Sequence, residues 1–121
     1  NGCTSLQKMA YNYSLATNLD YMYCDCMNMT STNSLGKDGL AVSFGATTMN
    51  YTFRRCYKLQ GRIQIKNKLT SFTECFFNSC NASESGKKLV VDYYKASASI
   101  INDLIATKSA GGKIEKGVCR D

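Results

Sequence analysis

Apolar side chains recur at intervals of three and four residues along much of this chain, the spacing that places them on one face of an α-helix. The clearest case is the segment Lys87–Lys108. Its apolar positions are Leu89, Tyr93, Ala96, Ile100 and Leu104. Gly111 and Gly112 follow as a natural stop, and Lys113–Asp121 is a polar tail. The pattern therefore predicts a long helix close to the end of the sequence.

Three further helices are expected before it. The first runs from about Ser5 to Met29, with hydroxyl side chains at its start that can act as N-caps. The second covers Met49–Leu69, although Gly61 weakens its middle. The third is short and begins at Ser71, which forms a capping-box pattern with Glu74, and it ends at Cys80.

The segments between these helices contain turn-forming residues. The polar stretch Thr30–Thr48 is predicted as a loop, within which Val42–Phe44 could form a short strand or a turn of helix. Asn81–Gly86 is predicted as a turn. We expect no internal repeat or linker, and the chain has no proline. The fold class predicted is all-α, with about four helices in a single domain spanning residues 1–121.

The cysteine content adds expected cross-links to this helical fold, because seven cysteines are unusual for a chain of this length. We expect them to form disulfides that staple the helices together, and Cys3 with Cys119 would close most of the chain. The connectivity stays open, and an odd count leaves one cysteine over. That residue is either a buried thiol or the link of a disulfide-bonded homodimer. The seven are Cys3, Cys24, Cys26, Cys56, Cys75, Cys80 and Cys119.

Disulfides point to an oxidising compartment, so we expect a secreted, extracellular protein. The sequence begins at Asn1 instead of Met, as after removal of a signal peptide, and no apolar run is long enough to cross a bilayer. Four N-x-S/T sequons are candidate glycosylation sites, at Asn12, Asn28, Asn50 and Asn81.

Candidate chemistry is sparse. Histidine is absent, which removes the common nucleophile–histidine mechanisms, and the acidic residues show no spacing that pairs two carboxylates. The C-x-C and C-x4-C spacings differ from those of common zinc sites. We therefore expect no enzymatic activity, no metal and no cofactor.

Binding is the expected activity, and two sets of side chains are candidates for it. On a helix, five basic residues would form one stripe that could contact an acidic protein, unless it is simply a solvated face. This stripe comprises Arg54, Arg55, Lys58, Arg62 and Lys66. The eight tyrosines are the second set, since tyrosine is favoured in interfaces as well as in cores. A net charge of +6 without dense basic blocks does not favour nucleic acid as a partner.

The cysteine pattern gives the chain a resemblance to a known family. Its features are the early Cys3, the Cys24-Asp25-Cys26 pair, Cys56-Tyr57, the Cys75…Cys80 spacing and the closing Cys119. It resembles the small salivary proteins of blood-feeding arthropods, most closely the anopheline family that includes albicin and anophensin. The resemblance implies an all-helical, immune-evading inhibitor that binds a host plasma protein, either the alternative-pathway complement convertase or a contact-activation protease. It would act as a monomer or a disulfide-linked homodimer.

A carrier of a small hydrophobic ligand is the alternative function. It would need an enclosed cavity among the helices. The side chains expected to line it, which would also suffice as ordinary core, are Met22, Phe72, Phe76 and Phe77.

Overall fold

A computed structural model describes residues 12–13, 17–29, 42–81 and 86–121, with the backbone alone for 12–13 and 42–44. Its main feature is a parallel five-stranded sheet whose strands follow one another in chain order. The short strands β1 and β2 lie at one edge, and the longer strands β3–β5 form most of the sheet. The strands are β1 (Asn12–Tyr13), β2 (Val42–Phe44), β3 (Gly61–Ile65), β4 (Leu89–Tyr93) and β5 (Ile114–Cys119).

Because neighbouring strands are parallel and follow one another in chain order, the chain must return after each strand to the end of the sheet where that strand began. It does so by winding, so that each strand and the segment after it form one coil stacked on the previous coil, as in a β-solenoid. In the longer strands Leu89 lies beside Gly61 on one side and beside Ile114 on the other, and the register between β4 and β5 shifts by one residue between Val91 and Tyr93.

The return segments of the first three coils stack as well. Isolated parallel bridges join Asn18 to Thr48 and Thr48 to Ser71. We call the segments 18–26, 48–56 and 71–79 the turn ladder. Backbone N–H groups of one segment donate to carbonyls of the next, as from Tyr21 to Asn50 and from Tyr51 to Thr73.

Each segment of the turn ladder contains tight turns with non-glycine residues in the left-handed region. Tyr21, Tyr51 and Glu74 occupy equivalent places, with φ of 62°, 58° and 47°. A second equivalent set lies four residues further on: Asp25, Arg55 and Asn78, with φ of 64°, 62° and 54°. A left-handed residue costs roughly 1–2 kcal/mol unless it is glycine. The stacking between coils must offset that cost, so the conformation belongs to the assembled ladder.

Aromatic side chains form the core behind the turn ladder. Tyr23, Phe53 and Phe76 lie one above the other, with ring centroids 5.8 and 5.6 Å apart and nearly parallel planes. All three are buried, together with inward residues of the sheet such as Ile63 and Val91. One apolar core therefore runs along the stack between the sheet and the ladder.

Polar side chains join the coils at the ladder's edges. The Asp20 carboxylate accepts from the backbone N–H of Asn50 at 2.8 Å, and the Asn50 amide oxygen accepts from the N–H of Thr73 at 2.7 Å. The buried Thr52 hydroxyl donates to the carbonyl of Leu19 at 2.9 Å. These repeated bonds satisfy backbone groups that the tight turns would otherwise leave unpaired.

The all-α prediction is wrong. In place of the helix predicted over Met49–Leu69, the chain forms a turn segment and then β3, and in place of the helix over 71–80 it forms turns with Glu74 left-handed. The described part of the predicted helix 5–29 contains β1 and turns. The reason is that a ladder of tight turns repeats every four residues, which imitates the i, i+4 spacing of a helix.

The helix predicted over Lys87–Lys108 is correct only near its end, at Ile101–Ile105. Its first part is β4, where the inward residues Leu89 and Val91 alternate as in a strand. A 3₁₀ turn at Lys95–Ser97 and the short helix α1 (Ile101–Ile105) follow. The polar tail beyond it forms β5.

Two expectations about the connections have different outcomes. Val42–Phe44, for which a strand was one of two possibilities, is a strand. The expectation of no internal repeat is wrong, because the turn ladder stacks three equivalent segments. Equivalent positions lie 30 residues apart between the first and second segments but 23 apart between the second and third. This unequal spacing conceals the repeat in the sequence.

Candidate protein-binding surface

The five basic residues predicted to form one stripe lie on two different parts of the fold. Arg54, Arg55 and Lys58 belong to the return segment of the second coil, whereas Arg62 lies in β3 and Lys66 directly follows it. The stripe required a helix, so the prediction of a single binding face for all five is wrong. The first three and the last two must be considered separately.

Arg54 lies at the centre of an exposed cluster. Its Nε is 3.2 Å from a carboxylate oxygen of Glu74 in the next coil, and its guanidinium lies 5.7 Å from the ring centroid of Phe77. Its backbone carbonyl accepts from the N–H of Asp25 in the preceding coil at 2.9 Å. Arg54 therefore contacts both neighbouring coils and connects them across the outer surface.

Two tyrosines extend this cluster. Tyr21 and Tyr51 stack with ring centroids 4.8 Å apart and an interplanar angle of 17°. Tyr51 occupies the ladder position equivalent to Glu74, so the stack continues into the ion pair of Arg54. Tyr21 is 50% exposed and Phe77 36% exposed. We call the surface made by Tyr21, Tyr51, Arg54, Glu74 and Phe77 the tyrosine–arginine platform.

Arg55 and Lys58 lie beside the platform. Arg55 is 3.3 Å from a carboxylate oxygen of Asp25 and donates from Nε to the Tyr57 hydroxyl at 3.0 Å. That hydrogen bond raises the pKa of the Arg55 guanidinium, which keeps its charge in any case. Lys58 donates to the amide oxygen of Asn28 in the preceding coil at 3.2 Å.

Arg62 takes part in an ion cluster on the outer face of the sheet. The Asp92 side chain is fully buried, and its Oδ2 forms ion pairs with Nε of Arg62 at 3.1 Å and with Nε of Arg120 at 3.0 Å. Its Oδ1 accepts from the backbone N–H of Val118 at 2.9 Å. A Cβ on Gly117 would come within 2.0 Å of that oxygen, so glycine makes room for the carboxylate. This cluster joins three coils.

Lys66 lies near Tyr94, with its Nζ 5.5 Å from the ring centroid. The Tyr94 hydroxyl donates to the amide oxygen of Gln64 at 2.7 Å. These side chains belong to the outer face of the sheet and are not part of the platform.

Six of the seven cysteines fall in the described residues and carry thiols, five of them buried and Cys119 exposed. Cys3 lies outside the described residues. Burial raises the pKa of the Cys56, Cys75 and Cys80 thiols. The Cys56 Sγ donates to the carbonyl of Tyr23 at 3.0 Å. Disulfide stapling stays a prediction, and so does the secretion that was inferred from it.

Most of the described acidic side chains form ion pairs or accept from backbone N–H groups. Besides the carboxylates already mentioned, Glu115 lies 2.9 Å from Nζ of Lys88 and the Asp121 carboxylate accepts from the N–H of Lys95 at 2.8 Å. Within the residues that the structure describes, no three His, Cys, Asp or Glu side chains are placed to hold a metal ion.

The predicted glycosylation sites differ in their surroundings. Asn81 and Asn28 are exposed, whereas Asn50 is half-buried and its amide oxygen accepts from both Ser71 and Thr73. Only the backbone of Asn12 is described. Glycosylation stays a prediction at all four.

The four side chains proposed to line a ligand tunnel do not converge. Phe76 is fully buried against Phe53, and Phe72 packs at the edge of the core. Met22 and Phe77 are exposed on the outer surface. The arrangement is that of an ordinary core with two surface residues.

Sequence reasoning named Arg54 and the tyrosines as candidate binding residues but did not place them together, and it took Phe77 for a tunnel residue. It had no basis for finding the Asp92 cluster. In the described part of the chain, no helix has the length and apolar character needed to span a membrane. Comparisons of the chain with protein-family models, curated proteins and solved structures found no match.

Proposed function

We propose that this chain is a non-catalytic protein-binding module and that the tyrosine–arginine platform is its contact surface. The observation that carries the proposal is the stack of Tyr21 on Tyr51, continued by the ion pair of Arg54 and by Phe77, at the surface of three adjacent coils. Tyrosine, arginine and phenylalanine are the residue types enriched in protein interfaces.

Rigidity supports this assignment. The platform residues belong to the turn ladder, whose backbone is bonded from coil to coil. The rings of Tyr21 and Tyr51 are already stacked on each other, so little side-chain conformational entropy remains to be lost on binding. A partly exposed aromatic cluster that is ordered in advance is well suited to take up apolar side chains of a partner.

The charges of the platform indicate what kind of partner fits. Arg54 faces Glu74, and Arg55 beside it faces Asp25, so the two arginines are largely compensated within the protein. Net attraction of an acidic protein by this surface is therefore small. The partner we propose is a protein that offers aromatic or aliphatic side chains to the rings and acceptor groups to the guanidinium of Arg54.

The narrower targets implied by the family resemblance, a complement convertase or a contact-activation protease, came with an all-helical fold. That fold is wrong, and no contact in the described structure favours these targets over other proteins. The small-ligand carrier has no supporting observation either, since its proposed lining residues lie apart.

The test compares three forms of the protein immobilised side by side: the wild type, Tyr21→Ala/Tyr51→Ala, and Tyr94→Ala as a matched loss of a tyrosine from another face. Plasma is passed over each, and retained proteins are quantified by mass spectrometry. A partner is then purified and its Kd measured against all three forms.

We expect the double variant to weaken the Kd about thirtyfold or more, as for the loss of an interface hot spot, and Tyr94→Ala to leave it unchanged. Affinity should change little between low and moderate salt, because the platform is nearly neutral. Equal retention by all three forms would overturn the proposal, as would retention of no protein by the wild type.

A further inference from the structure

The stacking of the turn ladder is incomplete at its last segment. In the first two segments, alternate backbone N–H groups donate to carbonyls of the next coil. These bonds run from Leu19 to Thr48, from Tyr21 to Asn50, from Met49 to Ser71 and from Tyr51 to Thr73. The equivalent N–H groups of the third segment are those of Phe72 and Glu74, and among the described residues they have no acceptor. Glu74 shares the left-handed conformation of Tyr21 and Tyr51, so its N–H has the same orientation as theirs.

The fourth coil covers only the second half of this segment. The N–H of Phe76 donates to Oγ1 of Thr107 at 3.1 Å, and the N–H of Asn78 donates to Oγ of Ser109 at 3.0 Å. Two side-chain hydroxyls thus take the place of the carbonyls that a further ladder segment would supply. Over the first half of the segment a pocket of about 350 Å³ opens instead, lined by residues 70–73 and by Thr107.

The same wall also offers acceptors at the places that a stacked segment uses. The carbonyl of Thr47 accepts from the N–H of Thr70 at 2.8 Å, and the carbonyl of Thr70 is the next one in that column. The amide oxygen of Asn50 accepts from the N–H of Thr73 at 2.7 Å, and the hydroxyl of Thr73 is the next acceptor in that column. Donors and acceptors therefore alternate along residues 70–74, as along the edge of a sheet. We call these residues the open ladder end.

The side chains of the open ladder end indicate what kind of segment fits over it. Leu19, Met49 and Phe72 occupy equivalent positions, and the first two are buried in the core. Phe72 is only half-buried and lines the pocket. An apolar side chain placed over Phe72 would continue this column and remove more of the ring from water. The residues that line the pocket carry no charge, so an uncharged segment is favoured.

We propose that the open ladder end binds an extended segment of the protein partner, which adds to the ladder as a further parallel segment. Carbonyls at alternate residues of that segment, roughly 6.6 Å apart, accept from the N–H groups of Phe72 and Glu74. Thr107 and Ser109 occupy the positions beyond, so the site accepts one short segment and not a second stack of coils. The inference rests on the proposed function, because it assigns the same partner a second contact next to the platform.

The first measurement is hydrogen exchange of the backbone amides of the full chain, followed by NMR. We expect the amides of Phe72 and Glu74 to exchange at least tenfold faster than those of Met49 and Tyr51, which are bonded to the next coil. Equal protection of the two pairs would mean that the donors of the open ladder end are already occupied, and it would overturn the proposal.

The second measurement titrates a blocked peptide with the sequence of residues 46–52, Ala-Thr-Thr-Met-Asn-Tyr-Thr, into the full chain. This sequence already forms a ladder segment and carries methionine at the position that would lie over Phe72. The control peptide is N-methylated at its asparagine, which removes the N–H expected to donate to Thr73. The protein variants are Thr73→Val and, as a matched control, Thr47→Val, which removes an exposed hydroxyl of the ladder outside the pocket.

We expect the peptide to bind with a Kd of about 1 mM and to slow the exchange of the Phe72 and Glu74 amides selectively. Thr73→Val should weaken the Kd about threefold or more, because one hydrogen bond is lost, and Thr47→Val should leave it within twofold. The N-methylated peptide should give no protection. That comparison uses the wild-type protein, so the test stays decisive even if Thr73→Val does not fold.

Three results would overturn the proposal. The first is no protection of the two amides at about 10 mM peptide. The second is equal protection by the N-methylated peptide. The third is protection that rises with protein concentration without any peptide, since a second copy of the chain would then fill the site.

Failure of this inference can be told apart from failure of the proposed function. Retention of a plasma protein that is lost in Tyr21→Ala/Tyr51→Ala, together with no peptide protection, contradicts the open ladder end alone. Peptide protection together with equal plasma retention by the wild type and that double variant contradicts the platform alone and supports the open ladder end.

Discussion

Replacing Asp92 by asparagine removes one negative charge from the interior while keeping the shape of the side chain and its bond to the N–H of Val118. Two positive partners, Arg62 and Arg120, then face a neutral amide in place of a carboxylate. Removing one member of a buried ion pair costs about 3–5 kcal/mol. Here both guanidinium groups are about one-third exposed, at 33% and 34%, and water can solvate part of their charge. We therefore expect a loss of about 2–3 kcal/mol in the free energy of unfolding.

Urea denaturation followed by circular dichroism measures this loss. With an m-value of about 2 kcal/mol/M, the midpoint should fall by about 1–1.5 M. The matched control is Glu115→Gln, which breaks the exposed pair with Lys88 and should cost no more than about 0.5 kcal/mol. A double-mutant cycle between Asp92→Asn and Arg120→Met should show a coupling of about 1 kcal/mol or more. A loss for Asp92→Asn no larger than that of the control would refute the reasoning.

Three other predictions concern the core and the backbone. Gly117→Ala should destabilise the fold by about 2 kcal/mol or more, because its Cβ would clash with the buried Asp92 carboxylate. Gly111→Ala should cost about 1 kcal/mol, because its Cβ would meet open space but its φ is +87°. Urea midpoints that do not separate the two variants would contradict this. Phe53→Ala should cost about 3–5 kcal/mol in thermal unfolding, since it removes the central ring of a fully buried stack, and a loss below 1 kcal/mol would mean that the stack does not form. Burial raises the pKa of the Cys56 and Cys75 thiols, so the folded state holds their protons more tightly than the unfolded state. Their contribution to stability is complete below the ordinary thiol pKa of 9.0 and is lost as pH rises above it. With the protein kept reduced, the free energy of unfolding should therefore fall from pH 8.5 to pH 11, and a flat profile would contradict this.

The sequence could predict part of the segment 87–121 and not the rest, for a physical reason. Leu89 and Tyr93 are four residues apart, and a separation of four fits both the period of two of a strand and the 3.6 of a helix. The run Leu89-Val90-Val91 favours a strand by its β-branched residues, and this signal was outweighed by the longer apolar pattern. At Ile101–Ile105 the helical interpretation is correct, and at Gly111 so is the turn.

The turn ladder could not be recognised from local pattern alone. Tyr51, Arg55 and Glu74 have no intrinsic preference for the left-handed region, and they adopt it because neighbouring coils supply the bonds that the turns require. Those bonds join residues 23 or 30 positions apart, outside the window in which helical and strand periods are compared. The sequence shows the turn spacing but not the partner that makes it stable.

The tyrosine–arginine platform shows the same contrast between residue types, which the sequence reveals, and spatial neighbours, which it does not. Residue type was informative, because arginine and tyrosine were named as interface candidates for their chemistry. Adjacency was not, since Tyr21, Tyr51 and Phe77 belong to three different coils. The spacing of Arg54, Lys58 and Arg62 suggested a single face only while a helix was assumed.

The unequal distances between equivalent positions of the turn ladder have a consequence for how such a surface can change. Thr48 is bridged to Asn18 and to Ser71 although one intervening length exceeds the other by seven residues, so the excess is accommodated outside the stacked segments. Insertions and deletions in the connections therefore need not be multiples of a repeat to preserve the order of side chains across the surface. Foreign peptides could be inserted into these connections without changing the register of the stacked segments.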